Sequence, residues 1–104
     1  MPIEKIKEIE EIEDILSLKG CLRVLIILNT YKKLRFNEIM KKTLLPSGTL
    51  TRALKLLIQK GYVKYDIIKI KDFRHPICVY YYDKEKFEKL KNCIYNYFTK
   101  KGGE

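Results

Sequence analysis

The hydrophobic pattern changes its period at Gly61, and this change constrains the fold more than any other feature of the sequence. Before Gly61, apolar residues from Leu50 to Ile58 recur at three- and four-residue steps, as on one face of a helix. After it, apolar and polar residues alternate from Tyr62 onward, as on a half-buried strand. The predicted elements of this region are a helix over residues 47–60, strands over 62–70 and 76–82, and a hairpin loop over 71–75. The chain therefore needs a helix that leads directly into a β-hairpin.

The segments outside this region are mostly helical by the same criterion. The predicted elements are a helix over residues 3–15, a helix from Leu18 to Thr30, a short strand at Leu34–Phe36, a helix from Asn37 to near Lys42, and a last helix from Lys84 to Lys100. Asn37, Ser47 and Asp83 are predicted N-caps, because their side-chain oxygens can accept hydrogen bonds from a first helical turn. The order helix, short strand, helix, turn, helix, hairpin predicts an α+β, mainly helical fold, a winged helix-turn-helix with extra N- and C-terminal helices.

Two local patterns add detail to this fold. The run Val24–Leu28 is apolar on all sides, which predicts that its helix is buried at the centre of the domain. Ile67 and Ile68 interrupt the strand alternation, which predicts a β-bulge at this point of the hairpin.

The charge of the chain is unevenly distributed. Its 104 residues include 22 basic and 13 acidic side chains, a formal net charge of +9. Residues 1–18 carry six acids and two bases, whereas residues 19–101 carry twenty bases and six acids. A basic body of this kind fits nucleic acid, and more weakly an acidic protein or an anionic membrane surface.

The length and the apolar runs set the broad class of the protein. One domain is expected at this length. The longest apolar run has five residues, too few to span a membrane, and the N-terminus lacks the apolar core of a signal peptide. We therefore expect a soluble, cytoplasmic protein with no membrane partner. Eighteen lysines, fourteen isoleucines and a single glutamine fit a thermophilic, archaeal source, although an AT-rich genome gives much the same bias.

The first helix has an unusual apolar pattern. Isoleucine recurs at every third position from Ile3 to Ile15, so the apolar positions wind around the helix axis and can meet two surfaces. An arm that contacts a second copy of the chain would have this pattern. A helix held twice by its own domain fits it equally well.

The last helix carries a single apolar stripe, made of Phe87, Leu90, Ile94, Tyr97 and Phe98. We divide the chain into an N-terminal arm at residues 1–17, a winged helix-turn-helix domain at 18–82, and a C-terminal helix with a short tail at 83–104. Both ends are assigned to dimerisation. The predicted homodimer contacts are Ile3, Ile6, Ile9, Phe87, Leu90, Ile94 and Tyr97.

The helix over residues 47–60 has one apolar and one basic face. Its exposed face carries Gly48, Thr51, Arg52, Lys55 and Gln59, with no acid. In helix-turn-helix proteins the second helix lies in the major groove. There Arg52 can form two hydrogen bonds with guanine, and Thr51 can touch a thymine methyl group. The predicted DNA contacts of this helix are Ser47, Thr49, Thr51, Arg52 and Lys55, with the first two near a phosphate at the helix start.

Further basic residues converge on the same side of the predicted fold, which argues against a merely solvated face. They are Arg35, Lys41 and Lys42 near the turn, and Lys69, Lys71, Arg74 and His75 around the hairpin tip. The sequence therefore predicts a regulator of transcription that binds double-stranded DNA sequence-specifically. The alternative is a winged helix for protein contact, DNA architecture or RNA binding. Duplex DNA is favoured, because Thr51, Arg52 and Lys55 lie on the side that faces the groove. The hairpin tyrosines (Tyr62, Tyr65 and Tyr80–Tyr82) are predicted to cover the core and not to stack on bases.

Four segments follow a recognisable pattern: Gly20-x-Leu-x-Val-Leu-Ile-Ile-Leu, Leu34-Arg-Phe-Asn-Glu-Ile, Leu45-Pro-Ser-Gly-Thr-Leu-Thr-x-Ala-Leu-x-x-Leu and Lys60-Gly-Tyr-Val. With them the chain resembles the HxlR-type transcriptional regulators, within the broader MarR/ArsR-like winged-helix group, over residues 18–82. The resemblance implies a homodimer on a palindromic operator, with the N- and C-terminal helices at the dimer interface. The chain departs from the family at Tyr80-Tyr-Tyr-Asp-Lys-Glu, where members usually have Tyr-x-Leu-Thr-x-x-Gly.

The cysteines Cys21, Cys78 and Cys93 are far apart, and with a single histidine they form no zinc site of usual spacing. They are either small apolar residues on buried faces or candidates for a disulfide or redox role. Some members of the resembling family sense oxidants through a cysteine before the first core helix, whereas Cys21 lies inside that helix. No paired nucleophile and base and no phosphate-binding glycine loop occur, so we expect no enzyme, no metal and no cofactor. An effector ligand stays unspecified.

Overall fold

The computed structural model describes residues 3–69, 71 and 74–99, and no side chain is described for residues 3–5 and 97–99. Four residues with predicted places in the hairpin or the last helix lie outside the described residues: Ile70, Asp72, Phe73 and Lys100. In the part of the chain that is described, no helix is both long and apolar enough to cross a membrane.

The described residues form five helices and three strands. The helices are α1 (Ile3–Ser17), α2 (Cys21–Tyr31), α3 (Phe36–Thr43), α4 (Ser47–Gln59) and α5 (Lys84–Thr99). The strands are β1 (Lys33–Arg35), β2 (Val63–Ile68) and β3 (Ile77–Tyr82). This order confirms the predicted α+β, mainly helical fold: α3 and α4 form the helix-turn-helix, and the β2–β3 hairpin is the wing.

The three strands form one antiparallel sheet with the order β1-β3-β2. Each residue of β2 from Val63 to Ile68 pairs with one residue of β3, from Tyr82 to Ile77, without interruption. The predicted bulge at Ile67 and Ile68 is therefore wrong. Both of these side chains are exposed, so no core face enforces a strict alternation and the broken pattern needs no inserted residue.

The core lies between the sheet and the helices, and every helix contributes to it. Its residues are Ile15 from α1, Cys21, Val24, Leu25 and Leu28 from α2, Ile39 from α3, Leu50, Ala53, Leu54 and Leu57 from α4, Phe87 and Leu90 from α5, and Leu34, Leu45, Tyr62 and Val63 from strands and turns. Tyr82 meets Phe87 edge to face with 5.4 Å between the ring centres, which fixes the start of α5 against the sheet. The N-terminal and C-terminal helices thus share one core with the domain between them.

The hairpin tyrosines cover the core only in part. Tyr62 is buried, and Tyr80 and Tyr82 pack against the core as predicted. Tyr65 is exposed, contrary to the prediction, because β2 leaves the helices after Val63 and all its later residues face solvent.

Helix α2 differs from its prediction at its start and on one side. It begins at Cys21, because Gly20 adopts the left-handed conformation with φ of +96°. A Cβ on Gly20 would also lie 2.8 Å from the Leu45 side chain, so glycine is needed here for conformation and for space. The predicted burial on all sides is wrong, since Ile26 is 51% exposed and Leu22 beside it is also exposed. An apolar run does not reveal which of its sides other elements will cover.

Two of the three predicted N-caps are wrong. The N-cap of α3 is Arg35, and its backbone N–H donates to the Glu38 carboxylate at 2.8 Å, so Asn37 lies inside the first turn. The N-cap of α4 is Pro46, and Ser47 is already the first helical residue. In both cases the residue before the helix supplies the extended backbone that an N-cap needs. Helix α3 therefore starts one residue earlier than predicted, whereas α4 starts at Ser47 as predicted but is capped by the residue before it.

The predicted end of α4, to within one residue, and the predicted start of α5 agree with the structure. Asp83 caps α5, because its carboxylate accepts a hydrogen bond from the Lys86 backbone N–H at 3.0 Å. This bond and a second one from the Lys64 side chain hold the pKa of Asp83 below its usual value. Gly61 follows α4 with φ of +84°, the left-handed conformation that commonly ends a helix.

Candidate nucleic-acid interface

Helix α4 turns one face to the core and the opposite face to solvent. Leu50, Ala53, Leu54 and Leu57 are buried. Gly48, Thr51, Arg52, Lys55 and Gln59 are exposed on the other side, as predicted. The helix contains no acidic residue, so its exposed face is uniformly polar or basic.

The cations of this face are available to a ligand. Among the described residues none forms an ion pair with Arg52 or Lys55. Thr51 donates its hydroxyl hydrogen to the Ser47 carbonyl at 2.8 Å, which leaves the hydroxyl oxygen free to accept. Ser47 is exposed and Thr49 half-buried at the helix start, where the first N–H groups have no acceptor within the helix. This end of α4 therefore combines hydrogen-bond donors with positive charge.

The basic residues beside the turn differ in how free they are. Lys41 is exposed. The Lys42 ammonium lies 4.0 Å from the centre of the Tyr31 ring, a cation–π contact within the chain. The Arg35 Nε atom lies 3.5 Å from the Glu38 carboxylate. The hydrogen bond from the Arg35 backbone, together with the guanidinium charge, holds the pKa of Glu38 below its usual value.

The wing carries four basic residues at its far end. Lys69, Lys71, Arg74 and His75 are all exposed and lie between β2, whose residues after Val63 face solvent, and the half-buried β3. These predicted residues share the exposed end of the hairpin, and Asp72 and Phe73 between them lie outside the described residues. None of the four forms an ion pair within the described part of the chain.

Lys60 at the end of α4 was not predicted as important. Its ammonium lies 3.2 Å from the Glu11 carboxylate and 3.3 Å from the Asp14 carboxylate, both on α1. Partial burial lowers the pKa of Lys60, but the hydrogen bonds to these two acids outweigh that effect and raise it. The Lys60 carbonyl accepts a hydrogen bond from the Lys86 ammonium on α5. The end of α4 is thus held by both terminal helices. In the sequence, the i, i+3 spacing of Glu11 and Asp14 was the one indication that two acids of α1 could meet the same cation.

The residues predicted for dimerisation lie in different environments. Phe87 and Leu90 are buried in the core of their own chain, whereas Ile6 is exposed and Ile9 and Ile94 are half-buried. The side chains of Ile3 and Tyr97 are among those not described.

An apolar groove of about 170 Å³ lies between α1, α2 and α5. Its rim includes the exposed side chains Leu16, Leu22 and Ile26. The sequence prediction named none of these three residues. It missed the two from α2 because this helix was expected to be buried on all sides.

The three cysteines form no disulfide with one another in the described chain, which includes all three. Cys21 is fully buried next to the Ala53 carbonyl, and burial raises the pKa of its thiol, which keeps it protonated and unreactive. Cys78 is half-buried on the wing. The Cys93 sulfur lies 3.5 Å from the Glu8 carboxylate. Among the described residues, no group of three or more metal-binding side chains occurs.

Residues 18–66 match the family model of the IclR helix-turn-helix domain. This span contains α2, β1, α3, α4 and the start of β2, so the similarity covers the helix-turn-helix. No significant match was found among curated proteins.

Solved structures of transcriptional regulators share the fold. A transcriptional regulator homologue from Pyrococcus horikoshii is 24% identical, with 88% of this chain and 91% of that chain covered and a TM-score of 0.63. The reduced form of the regulator YodB from B. subtilis is 15% identical over 100% of this chain and 99% of that chain, with a TM-score of 0.65. A mutant of MarR from E. coli in complex with operator DNA is 21% identical over 84% of this chain and 63% of that chain, with a TM-score of 0.59. These similarities establish the winged helix-turn-helix fold.

Proposed function

We propose that this protein is a transcriptional regulator that binds double-stranded DNA sequence-specifically through α4 and the wing. The observation that carries the proposal is the exposed face of α4, where Thr51, Arg52 and Lys55 lie opposite a buried face. None of the described acids pairs with its two cations. The MarR structure supports this use of the fold, because it contains operator DNA.

In this proposal the N-terminal half of α4 reads base edges in the major groove. Arg52 donates two hydrogen bonds to one guanine, and Thr51 contacts a neighbouring base or a thymine methyl group. The free N–H groups at Ser47 and Thr49 bind a backbone phosphate and fix the depth of the helix in the groove. Lys55, one turn further along the exposed face, adds a contact to the same stretch of DNA.

The wing supplies contacts that do not depend on sequence. Lys69, Lys71, Arg74 and His75 are proposed to meet the phosphate backbone or the minor groove beside the site read by α4. Lys41 does the same beside the turn. Lys42 and Arg35 contribute less per residue, because binding DNA would compete with their contacts to Tyr31 and Glu38.

The regulator is proposed to act as a homodimer, so that two copies of α4 lie about one helical turn apart on a pseudo-palindromic operator. The exposed rim of the groove between α1, α2 and α5 supports this part of the proposal. Leu16, Leu22 and Ile26 would leave water if the same face of a second copy covered them.

The finer classification rests on the sequence. We assign the chain to the HxlR-type regulators on the motifs around Leu34–Ile39 and Leu45–Leu57. The abundance of lysine and isoleucine supports a thermophilic, archaeal source. A regulator of this kind acts in the cytoplasm, where it meets DNA.

The proposal is tested with DNA selected by the protein from a random duplex library. A palindromic motif is expected, whereas selected sequences without a common motif would favour the architectural, RNA-binding or protein-binding alternative.

Fluorescence anisotropy then compares Arg52→Ala with Lys71→Ala on the selected and on random duplexes. Arg52→Ala should reduce the discrimination between them by about 1–3 kcal/mol. Lys71→Ala should weaken binding to both and flatten the dependence on salt. Unchanged discrimination in Arg52→Ala would contradict the role of α4.

A further inference from the structure

Strand β2 forms an open edge of the sheet. It pairs with β3 on one side, and no described strand lies on its other side. Proteins usually protect such an edge with charged side chains, above all lysine, or with a proline, a bulge or a very short strand. The charged side chains of β2 are Lys64 and Asp66, one of each sign. β2 has six residues, contains no proline, and pairs with β3 without a bulge. Its side chains also leave apolar surface in water, since Tyr65 and Ile68 are exposed and Ile67 is 60% exposed.

The sequence of β2 is complementary to itself when two copies run antiparallel. Residues that lie opposite each other in a continuous sheet have their side chains on the same face. A twofold axis between two copies of β2 therefore lies at one residue position, where the residue is opposite the same residue of the other copy. With Tyr65 on the axis, Lys64 faces Asp66 of the partner subunit, and Asp66 faces the partner's Lys64. Val63, which is buried in its own core, then lies opposite Ile67 of the partner subunit, so no like charges meet at this position.

The neighbouring registers are unfavourable. With Lys64 on the axis, two ammonium groups oppose each other. With Asp66 on the axis, two carboxylates do so, and like charges directly opposite destabilise a strand pair. Of the registers centred on residues 64–66, only the one centred on Tyr65 forms ion pairs, and it forms two.

Both charges of β2 have partners within the chain that leave them accessible. The Lys64 ammonium lies 3.1 Å from the Asp83 carboxylate, and its side chain is 54% exposed. The Asp66 carboxylate lies 3.9 Å from the Lys33 ammonium, and its side chain is 51% exposed. Each can therefore meet an opposite charge across the edge without leaving its own face of the sheet.

We propose that the free edge of β2 is a self-association surface, at which the wings of two copies join into one continuous antiparallel sheet centred on Tyr65. The occupant is a second copy of this chain, because the order Lys64-Tyr65-Asp66 complements itself in one register. The contact is short and therefore weak, so it forms at high protein concentration. It is separate from the groove between α1, α2 and α5, and it does not require DNA.

Cross-linking tests the register. Tyr65→Cys places a thiol on the proposed axis, where it faces its own copy, whereas Ile68→Cys places one on the same exposed strand away from the axis. Both variants carry Cys78→Ser, which removes the native thiol of the wing, and the Cys78→Ser protein alone gives the background. After mild oxidation, non-reducing electrophoresis should show several-fold more covalent dimer for Tyr65→Cys than for Ile68→Cys. Equal yields from the two variants would overturn the proposal.

Charge exchange tests the ion pairs. Sedimentation velocity measures the rise of the weight-average sedimentation coefficient with protein concentration. Because the variants change only β2, the comparison among them is independent of the proposals on DNA and on the groove between α1, α2 and α5. Asp66→Lys should lower the association constant about tenfold, because two ion pairs become two repulsive pairs. Lys64→Asp should do the same.

The double variant Lys64→Asp/Asp66→Lys should restore association. It removes the Lys64–Asp83 and Lys33–Asp66 pairs within the chain, so its recovery cannot come from better contacts inside one copy. Thermal denaturation checks that each variant folds. A folded double variant that associates no better than the single variants would overturn the proposal.

Discussion

At the scale of single residues, Gly20 and Gly48 differ in why the position holds a glycine. Gly20 is required by the fold, because it combines a left-handed backbone with close contact to Leu45. Gly48 is not, because a Cβ at this position would meet nothing within 4 Å in the described chain. Gly48 lies in the first turn of α4, on the face proposed to enter the major groove of DNA. We therefore propose that this glycine allows the close approach of DNA.

The substitution Gly48→Ala separates folding from binding. Alanine favours a helix over glycine by up to about 1 kcal/mol, so thermal denaturation should show an unchanged or slightly higher stability. Binding of the selected operator should weaken at least several-fold in fluorescence anisotropy, because the methyl group occupies space next to the DNA. Gln59→Ala, on the same face at the far end of α4, is the control and should bind like the wild type. Wild-type affinity in Gly48→Ala would contradict a close approach at this residue.

Buried tyrosines make the stability of the protein sensitive to alkaline pH. Burial, together with the nearby Glu11 carboxylate, raises the pKa of Tyr62 to about 12. Because the folded state holds the phenolic proton more tightly, this contribution to stability is complete below pH 10 and is lost as the pH rises towards 12. The loss in unfolding free energy is about 2 kcal/mol for this residue, which is only 4% exposed.

The measurement is the melting temperature as a function of pH. Tyr62→Phe should flatten its decline between pH 10 and pH 12, whereas Tyr65→Phe, which changes an exposed ring, should follow the wild type. Tyr80, whose pKa burial also raises to about 12, keeps part of the slope in both variants. An equal decline in the wild type and in Tyr62→Phe would show that Tyr62 does not control this loss.

At the scale of elements, the sequence predicts what is periodic and misses what depends on distant partners. The two faces of α4 and the start of the wing near Gly61 follow from the spacing of apolar residues, and the structure confirms both. The exposure of Ile26 could not be predicted, because it depends on where α1 and α5 lie beside α2. The ion pairs of Lys60 escaped for the same reason, since its partners Glu11 and Asp14 are more than forty residues away in the chain.

The contact between α1 and the end of α4 should contribute measurable stability. The Lys60 side chain is only 18% exposed and meets two carboxylates, so Lys60→Gln should lower the unfolding free energy by about 1 kcal/mol. Lys89→Gln is the matched control, because Lys89 is exposed on α5 and forms no ion pair among the described residues, so its loss should change the unfolding free energy by less than about 0.5 kcal/mol. Urea denaturation measures both. Equal losses in the two variants would mean that α1 does not hold α4 through these charges.

At the scale of the whole molecule, the two terminal helices have a double role. They share the core through Ile15, Phe87 and Leu90, and they hold the end of α4. The same helices form, with α2, the groove whose apolar rim stays in water in a single copy. Any partner that covers this groove therefore touches the elements that position the proposed reading helix. Dimerisation and DNA binding are expected to depend on each other for this reason.

The homodimer is tested where the groove meets solvent. Ile26→Lys places a charge on the rim at a side chain that is already half-exposed, so the fold should survive while the contact with a second copy is lost. Leu44→Lys is the control, because Leu44 is 83% exposed in the turn between α3 and α4, away from the groove. In sedimentation velocity at micromolar concentration, the wild type and Leu44→Lys should be dimers and Ile26→Lys a monomer. Ile26→Lys should also bind the palindromic operator more weakly than the wild type does. The reason is that only a dimer contacts both half-sites at once. A monomeric wild type, or a dimer that Ile26→Lys leaves intact, would show that this groove is not the dimer interface.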